Sequence, residues 1–242
     1  MTIEDFYGPF KHLMTPEWIW DIRKLLAEAD FPVYALANEL LGFRLHTINP
    51  SLSSIYGQDT RLADVSVTYV SPNYKEYDQA LSVTSCTNSE HGSTADSYLP
   101  SLITNMQNFK PKGVTGLHTL GVLWKRPPLT DDESVQQREA ASQISWTPYD
   151  ASGLQFNLLH RDNPGPVSLA YREAEKGKVI VVSLGTPRPK FLTLLASLVE
   201  LQGNASLVDK VQRDLKNRYE EMERMIQEQR GLEARSRPET NE

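Results

Sequence analysis

The chain has 242 residues, with 25 Lys+Arg against 31 Asp+Glu and a formal net charge of -6; its 39% hydrophobic content is too apolar for a disordered chain. A mean hydropathy of -0.45, with no apolar run of about 18 residues, excludes a transmembrane helix. The single cysteine, Cys86, excludes an intrachain disulfide and a cysteine-built metal site, and a pI of about 5.5 argues against nucleic acid as a partner.

The opening residues, Met1 to Phe6, carry neither a basic nor a long apolar stretch, so no secretory leader is expected and the chain reads as soluble and cytoplasmic. Thr15 can cap a helix that has Pro16 at its first helical position, where the missing N–H costs nothing. Trp18, Ile22, Leu25, Leu26 and Ala29 follow at helical spacing, and Pro32 disfavours helix at Phe31. The spacing predicts a helix over residues 15–30.

From residue 32 to 190 the pattern is mostly strand-like. Short strands are expected at 33–36 and 44–48, divided by Gly42. At 64–70, Val65, Val67 and Tyr69 alternate with Asp64, Ser66 and Thr68, which predicts a strand with one apolar and one polar face. A second strand at 80–86 is followed by a loop at 89–96 and a short helix at 98–108 carrying Leu102, Ile103 and Met106. A β-like run at 114–125 ends at Pro127-Pro128, and the polar stretch 129–141 reads as a loop. Further strands are expected at 143–147, 154–160, 167–172 and 178–184.

After Gly185 and Pro187, residues 191–201 read as a buried helix. Ser206 can then cap a helix with Val208, Val211, Leu215, Tyr219, Met222 and Ile226 at steps of three or four, an amphipathic stripe able to dock on a core or pair with another helix. The organisation expected is a main domain over 1–203, an amphipathic helix over 204–231 and a disordered tail over 232–242. The fold class is α+β, a mostly antiparallel twisted sheet with an N-terminal helix and C-terminal amphipathic helices.

Motifs that would announce chemistry are missing: there is no phosphate-binding glycine loop, no G-x-S-x-G, no H-E-x-x-H and no C-x-x-C. His160-Arg161-Asp162-Asn163 imitates a kinase catalytic loop, but Val167 stands where that loop needs Asn, and a polar turn into Pro164-Gly165-Pro166 is the plainer reading. Cys86 and His91 are close enough in sequence to act as nucleophile and base; the plainer alternative is a serine-rich loop with incidental polar residues. His12, His46 and His118 are isolated, and Asp131-Asp132-Glu133 lacks calcium-loop spacing. The expectation is a protein with no catalytic residue, metal or cofactor.

Two strand pairs stand out, 62–70 with 80–86 and 114–126 with 140–148. Each strand is near the length of about 9–11 residues that a tilted β-strand needs to cross a bilayer, and each face is only moderately apolar. An ordinary half-exposed antiparallel sheet has the same pattern.

The run Leu154-Gln-Phe-Asn-Leu-Leu-His160, a short turn, Val167-Ser-Leu-Ala-Tyr-Arg172 and the strand 178–184 together resemble the end of a gasdermin pore-forming domain. In that family a strand is followed by a segment like GSxLAFRV and another apolar strand, and Ser168-Leu-Ala-Tyr-Arg172 occupies that position here. The element order over residues 15–200 is also similar, and the length matches fungal gasdermin-like proteins that control cell death between incompatible strains and lack the large inhibitory domain.

The resemblance implies a soluble cytoplasmic form that meets acidic phospholipids at the plasma membrane and assembles as a homo-oligomer, or as a hetero-oligomer with a related allelic chain. Two regions, 62–91 and 114–148, would extend as hairpins to close a transmembrane barrel, the β arrangement that satisfies every backbone group in lipid. Lipid contacts would fall on Lys11, Arg23, Lys24 and Arg44, each drawn to an anionic surface by about 1 kcal/mol. The chain departs from the family pattern in its first helix, where Glu17, Asp21, Glu28 and Asp30 make the net charge negative. Two other classes are a soluble α+β module dimerising through the C-terminal helix, and a small enzyme using Cys86 or a histidine.

Overall fold

The computed structural model describes residues 21–53, 61–71, 79–87, 94–108, 132, 135–136, 139, 143–162 and 165–236. The first described element, α1 (Ile22–Glu28), begins one residue after Asp21, whose backbone is non-helical at φ -118 and ψ 70 and whose carboxylate accepts the Lys24 N–H at 2.9 Å. The helix expected over 15–30 does not run through Asp21, because a short carboxylate side chain competes for backbone N–H groups and starts a helix rather than continuing one. Ile22 and Leu25 are buried, with Leu26 and Ala29 packed against the same core. Residues 15–20 lie outside the described residues.

The chain then enters the sheet through β1 (Tyr34–Leu36), β2 (Arg44–Ser53), β3 (Arg61–Ser71) and β4 (Gln79–Cys86). After helix α2 (Thr94–Asn108) come β5 (Thr147–Ala151), β6 (Leu154–Arg161), β7 (Val167–Ala174) and β8 (Gly177–Leu184). Helix α3 (Arg188–Ala196), the short β9 (Leu198–Glu200) and the long helix α4 (Ala205–Ser236) complete it. Seven strands form one antiparallel sheet in the order β2-β3-β4-β8-β7-β6-β5, and β1 pairs separately with β9. The class is α+β, as the alternation predicts.

The order puts β8 between β4 and β7, joining the two halves of the sheet. All eight residues of β8 are buried, which explains why Val179-Ile-Val-Val182 is continuously apolar rather than alternating. One sheet face carries Val65, Val67, Leu81, Val83 and Val181 into a core shared with α1, α3 and α4. The opposite face carries Val167, Leu169, Ile180 and Val182 against Leu102, Ile103 and Met106 of α2. Among the described residues the two outermost strands each contain a proline, Pro50 in β2 and Pro148 in β5, which cannot donate a backbone hydrogen bond to a neighbouring strand.

Close packing at one point admits only glycine. A Cβ on Gly177 would lie 2.6 Å from the Cys86 carbonyl oxygen and 2.7 Å from Phe31 Cβ. The β5–β6 turn instead needs left-handed backbone, with Ser152 at φ 56 and Gly153 at φ 87, and the Asp150 carboxylate accepts the Gly153 N–H at 2.7 Å.

Several boundaries differ from expectation. Residues 143–146 are not strand; the strand begins at Thr147 and pairs with β6, and the 114–126 run expected beside it lies outside the described residues. Within the stretch read as a loop, Asp132, Val135, Gln136 and Glu139 are helical. Helix α2 starts at Thr94, inside the expected loop, and runs through Pro100. The helix expected over 191–201 stops at Ala196, because residues 198–200 are taken up by β1: Ala37 N–H donates to the Ser197 carbonyl at 3.0 Å and Leu201 N–H to the Val33 carbonyl at 2.8 Å. The cap of α4 is Asn204, whose side chain accepts the Leu207 N–H at 3.2 Å, rather than Ser206. α4 also continues through Gly231 to Ser236, so residues 232–236, read as tail, are helical. One glycine costs an established helix only about 1 kcal/mol.

Candidate functional site

The β3–β4 pair carries the alternation most fully. Its register sets Val67 opposite Val83 and Tyr69 opposite Leu81 on one face, and Ser66 opposite Thr84 and Thr68 opposite Ser82 on the other. Directly opposed residues share a face, so the pair has an apolar side and a hydroxyl side. The apolar side belongs to the main core. The hydroxyl side is covered as well: Thr68 is 9% exposed, Ser82 3% and Thr84 6%. Three of its hydroxyls contact one another, with Ser66 Oγ 2.8 Å from Thr84 Oγ1 and Ser82 Oγ 3.5 Å from the same atom. The alternation is thus as predicted, but neither side is the solvated face of an ordinary half-exposed sheet.

β3 has 11 residues, an extended length of about 36 Å, and β4 has 8. The Tyr69 hydroxyl accepts the Leu36 N–H at 2.9 Å and ties β3 to β1. Burial first, and the carboxylate of Asp214 on α4 after it, push this phenol far above its ordinary range, so it stays neutral.

The residues proposed from the resemblance that the structure describes fall on two elements, α1 and β2. Lys11 lies outside the described residues. Arg23 and Lys24 sit on α1 with side chains 67% and 70% exposed; Arg23 pairs with Asp209 of α4, and Lys24 with Asp21 at 3.0 Å. Arg44 is exposed at the start of β2, opposite Val70. Two of these cations are thus engaged by carboxylates of the chain itself.

Just before Arg44 the chain makes a tight turn that sequence reasoning missed. Phe43 N–H donates to the Leu40 carbonyl at 2.9 Å, and the two central residues, Leu41 and Gly42, have φ of 54 and 82. Left-handed backbone suits Gly42 but costs a leucine roughly 1–2 kcal/mol. Leu41 is also 42% exposed, so neither conformation nor burial explains its identity. Only Gly42 hinted at this turn in the sequence.

The motif that carries the resemblance is anchored at both ends. Ser168 Oγ lies 2.7 Å from His160 Nδ1, while His160 Nε2 lies 2.8 Å from Asp162 Oδ1. This reproduces the connectivity of a catalytic serine, histidine and carboxylate, but Ser168 is fully buried within the sheet and a substrate has no path to its Oγ. His160 and Ser168 are opposed residues of β6 and β7, so the chain of bonds clasps that hairpin. At the other end, Arg172 donates to the Tyr34 hydroxyl at 3.0 Å and lies 5.9 Å from that ring's centre.

Cys86 is 1% exposed and its Sγ lies 3.6 Å from the Lys178 carbonyl oxygen; His91 lies outside the described residues. Among the described residues no group of three or more His, Cys, Asp or Glu is placed to hold a metal, and no helix is long and apolar enough to cross a membrane. Comparison with protein-family models, curated proteins and solved structures returned no match.

Proposed function

We propose that the protein is a pore-former of the gasdermin type, which binds acidic phospholipids from the cytoplasm, oligomerises at the plasma membrane and inserts β-hairpins to cause regulated cell death, with no enzymatic chemistry. The observation that carries this reading is the two-faced β3–β4 pair. A strand that crosses a bilayer in a barrel needs one apolar face for lipid and one polar face for the lumen, alternating residue by residue. β3 and β4 have that alternation in register with each other, and their hydroxyl side is buried at some cost in the soluble fold. Leu41 supports the same reading. A strained, exposed leucine three residues before Arg44 has the chemistry of a small apolar tip beside a cation that can meet a lipid headgroup.

The test is release of an entrapped dye from vesicles of acidic phospholipid, compared with vesicles of zwitterionic lipid alone. Release from the acidic vesicles, with rings or arcs visible by negative stain, is expected. Intact vesicles at micromolar protein, with or without a related partner chain, would overturn the proposal.

One observation favours a second reading, a soluble module that self-associates through α4. That helix runs on to Ser236 past Leu215, the last buried side chain described on it, and Met225 beyond that point is 46% exposed. This reading predicts a stable dimer in light scattering and no affinity for either vesicle.

A further inference from the structure

α4 lies along β2, and an irregularity of the ladder turns one residue of β2 toward it. Leu45 pairs with Tyr69 and Thr47 with Thr68, which leaves His46 as the extra residue of a β-bulge. A bulge re-aims the side chain it carries. Arg218 of α4 meets the imidazole there, its Nη2 lying 3.4 Å from His46 Nδ1. A guanidinium only donates, so this contact requires Nδ1 to be the acceptor and places the ring proton on Nε2. Arg218 is held on its other sides too. Its Nη1 donates to Glu221 at 2.5 Å, and its Nε is buried without a partner, so the cation is fixed in the interface rather than free in solvent.

We infer that the docking of α4 on β2 is proton-sensitive, with His46 as the titrating group and Arg218 as the charge it meets. Protonation puts an N–H on Nδ1, which removes the acceptor and sets two cations against each other across the interface. The carboxylates nearby offer little relief. Glu221 is engaged by Arg218, and Asp214, one turn earlier on α4, lines a separate cleft with Glu39 and Lys210. Tyr69 on β3 is neutral, and Arg44 on β2 adds only further positive charge.

The sign follows from linkage. Burial, and then Arg218, hold His46 below the usual imidazole range. Docking therefore carries no penalty well above pH 6.5, weakens as the pH falls below that value, and bears the full penalty once the pH is below the docked pKa. Asp214 acts oppositely, because burial raises its carboxyl, so protonating it favours the docked helix.

The reading is independent of pore formation, and its test contains no lipid. Hydrogen exchange of the full chain is measured at about pH 7.5 and about pH 5.5, corrected for the intrinsic exchange rate. Protection of the amides of residues 207–219 is expected to fall about fivefold in the unmodified protein. In His46→Gln, which keeps an acceptor for Arg218 but cannot titrate, it is expected to stay constant. Unchanged protection in the unmodified protein, or an equal fall in both, would overturn the inference. The imidazole titration followed by NMR gives a second readout: Arg218→Gln is expected to move the His46 midpoint upward, toward 6.5, and an unmoved midpoint also overturns it.

Discussion

Leu41 shows how much a single residue can say when its backbone and its exposure disagree with its identity. A leucine at φ 54 carries strain that glycine or asparagine would avoid, and at 42% exposure it recovers only part of its burial energy. Leu41→Asn removes the strain and keeps the turn. It is expected to raise stability by about 0.5–1 kcal/mol in urea unfolding. In the pore reading the same substitution lowers co-sedimentation with acidic vesicles, because the apolar tip is gone. A gain in stability with unchanged sedimentation would leave Leu41 without a lipid role. Opposite changes in the two measurements separate a functional leucine from a merely tolerated one.

At the scale of elements, α4 is 32 residues long, about 48 Å, and only its first half carries described buried side chains: Leu207, Val208, Val211 and Leu215. Removing the helix would strip all four from the main core, so loosening it by one side chain is the cleaner experiment. Leu215→Ala is expected to cost about 2–3 kcal/mol in urea unfolding. If α4 restrains the soluble form, dye release from acidic vesicles rises several-fold at equal protein; equal or lower release would show that it does not. The stripe Val208, Val211, Leu215 was legible in the sequence because helical spacing is a local property. So were β3, β4, β6, β7 and β8, whose alternation or, in β8, unbroken apolar run is equally local. What was not legible depended on partners far away in the chain. The end of α3 is decided by β1, more than 150 residues earlier, and the aim of His46 by a slip in register against β3. The candidate site was half legible for the same reason. Ser66, Thr68, Ser82 and Thr84 declare a polar side, but which layer covers that side is tertiary information.

The whole molecule places an unusual demand on that hydroxyl side. In the folded sheet Thr68 and Thr84 are at most 9% exposed, and a valine of the same shape would fill each site without burying a hydroxyl. Among the described residues the Thr84 hydroxyl bonds within the Ser66–Thr84–Ser82 cluster, and Ser66 is half-buried, so its loss there is partly made good by water. Thr68→Val combined with Thr84→Val is therefore expected to leave the urea midpoint unchanged or slightly raised. A barrel makes the opposite demand, since these positions would then face the lumen, where apolar side chains meet water. Dye release from acidic vesicles is expected to fall several-fold in the double variant while binding to the same vesicles persists. A folded double variant that releases dye at the unmodified rate would show that this face never lines water, and the β3–β4 pair would then be only a well-packed part of the sheet. A fold indifferent to two hydroxyls that an activity cannot lose would show that they serve a second structure.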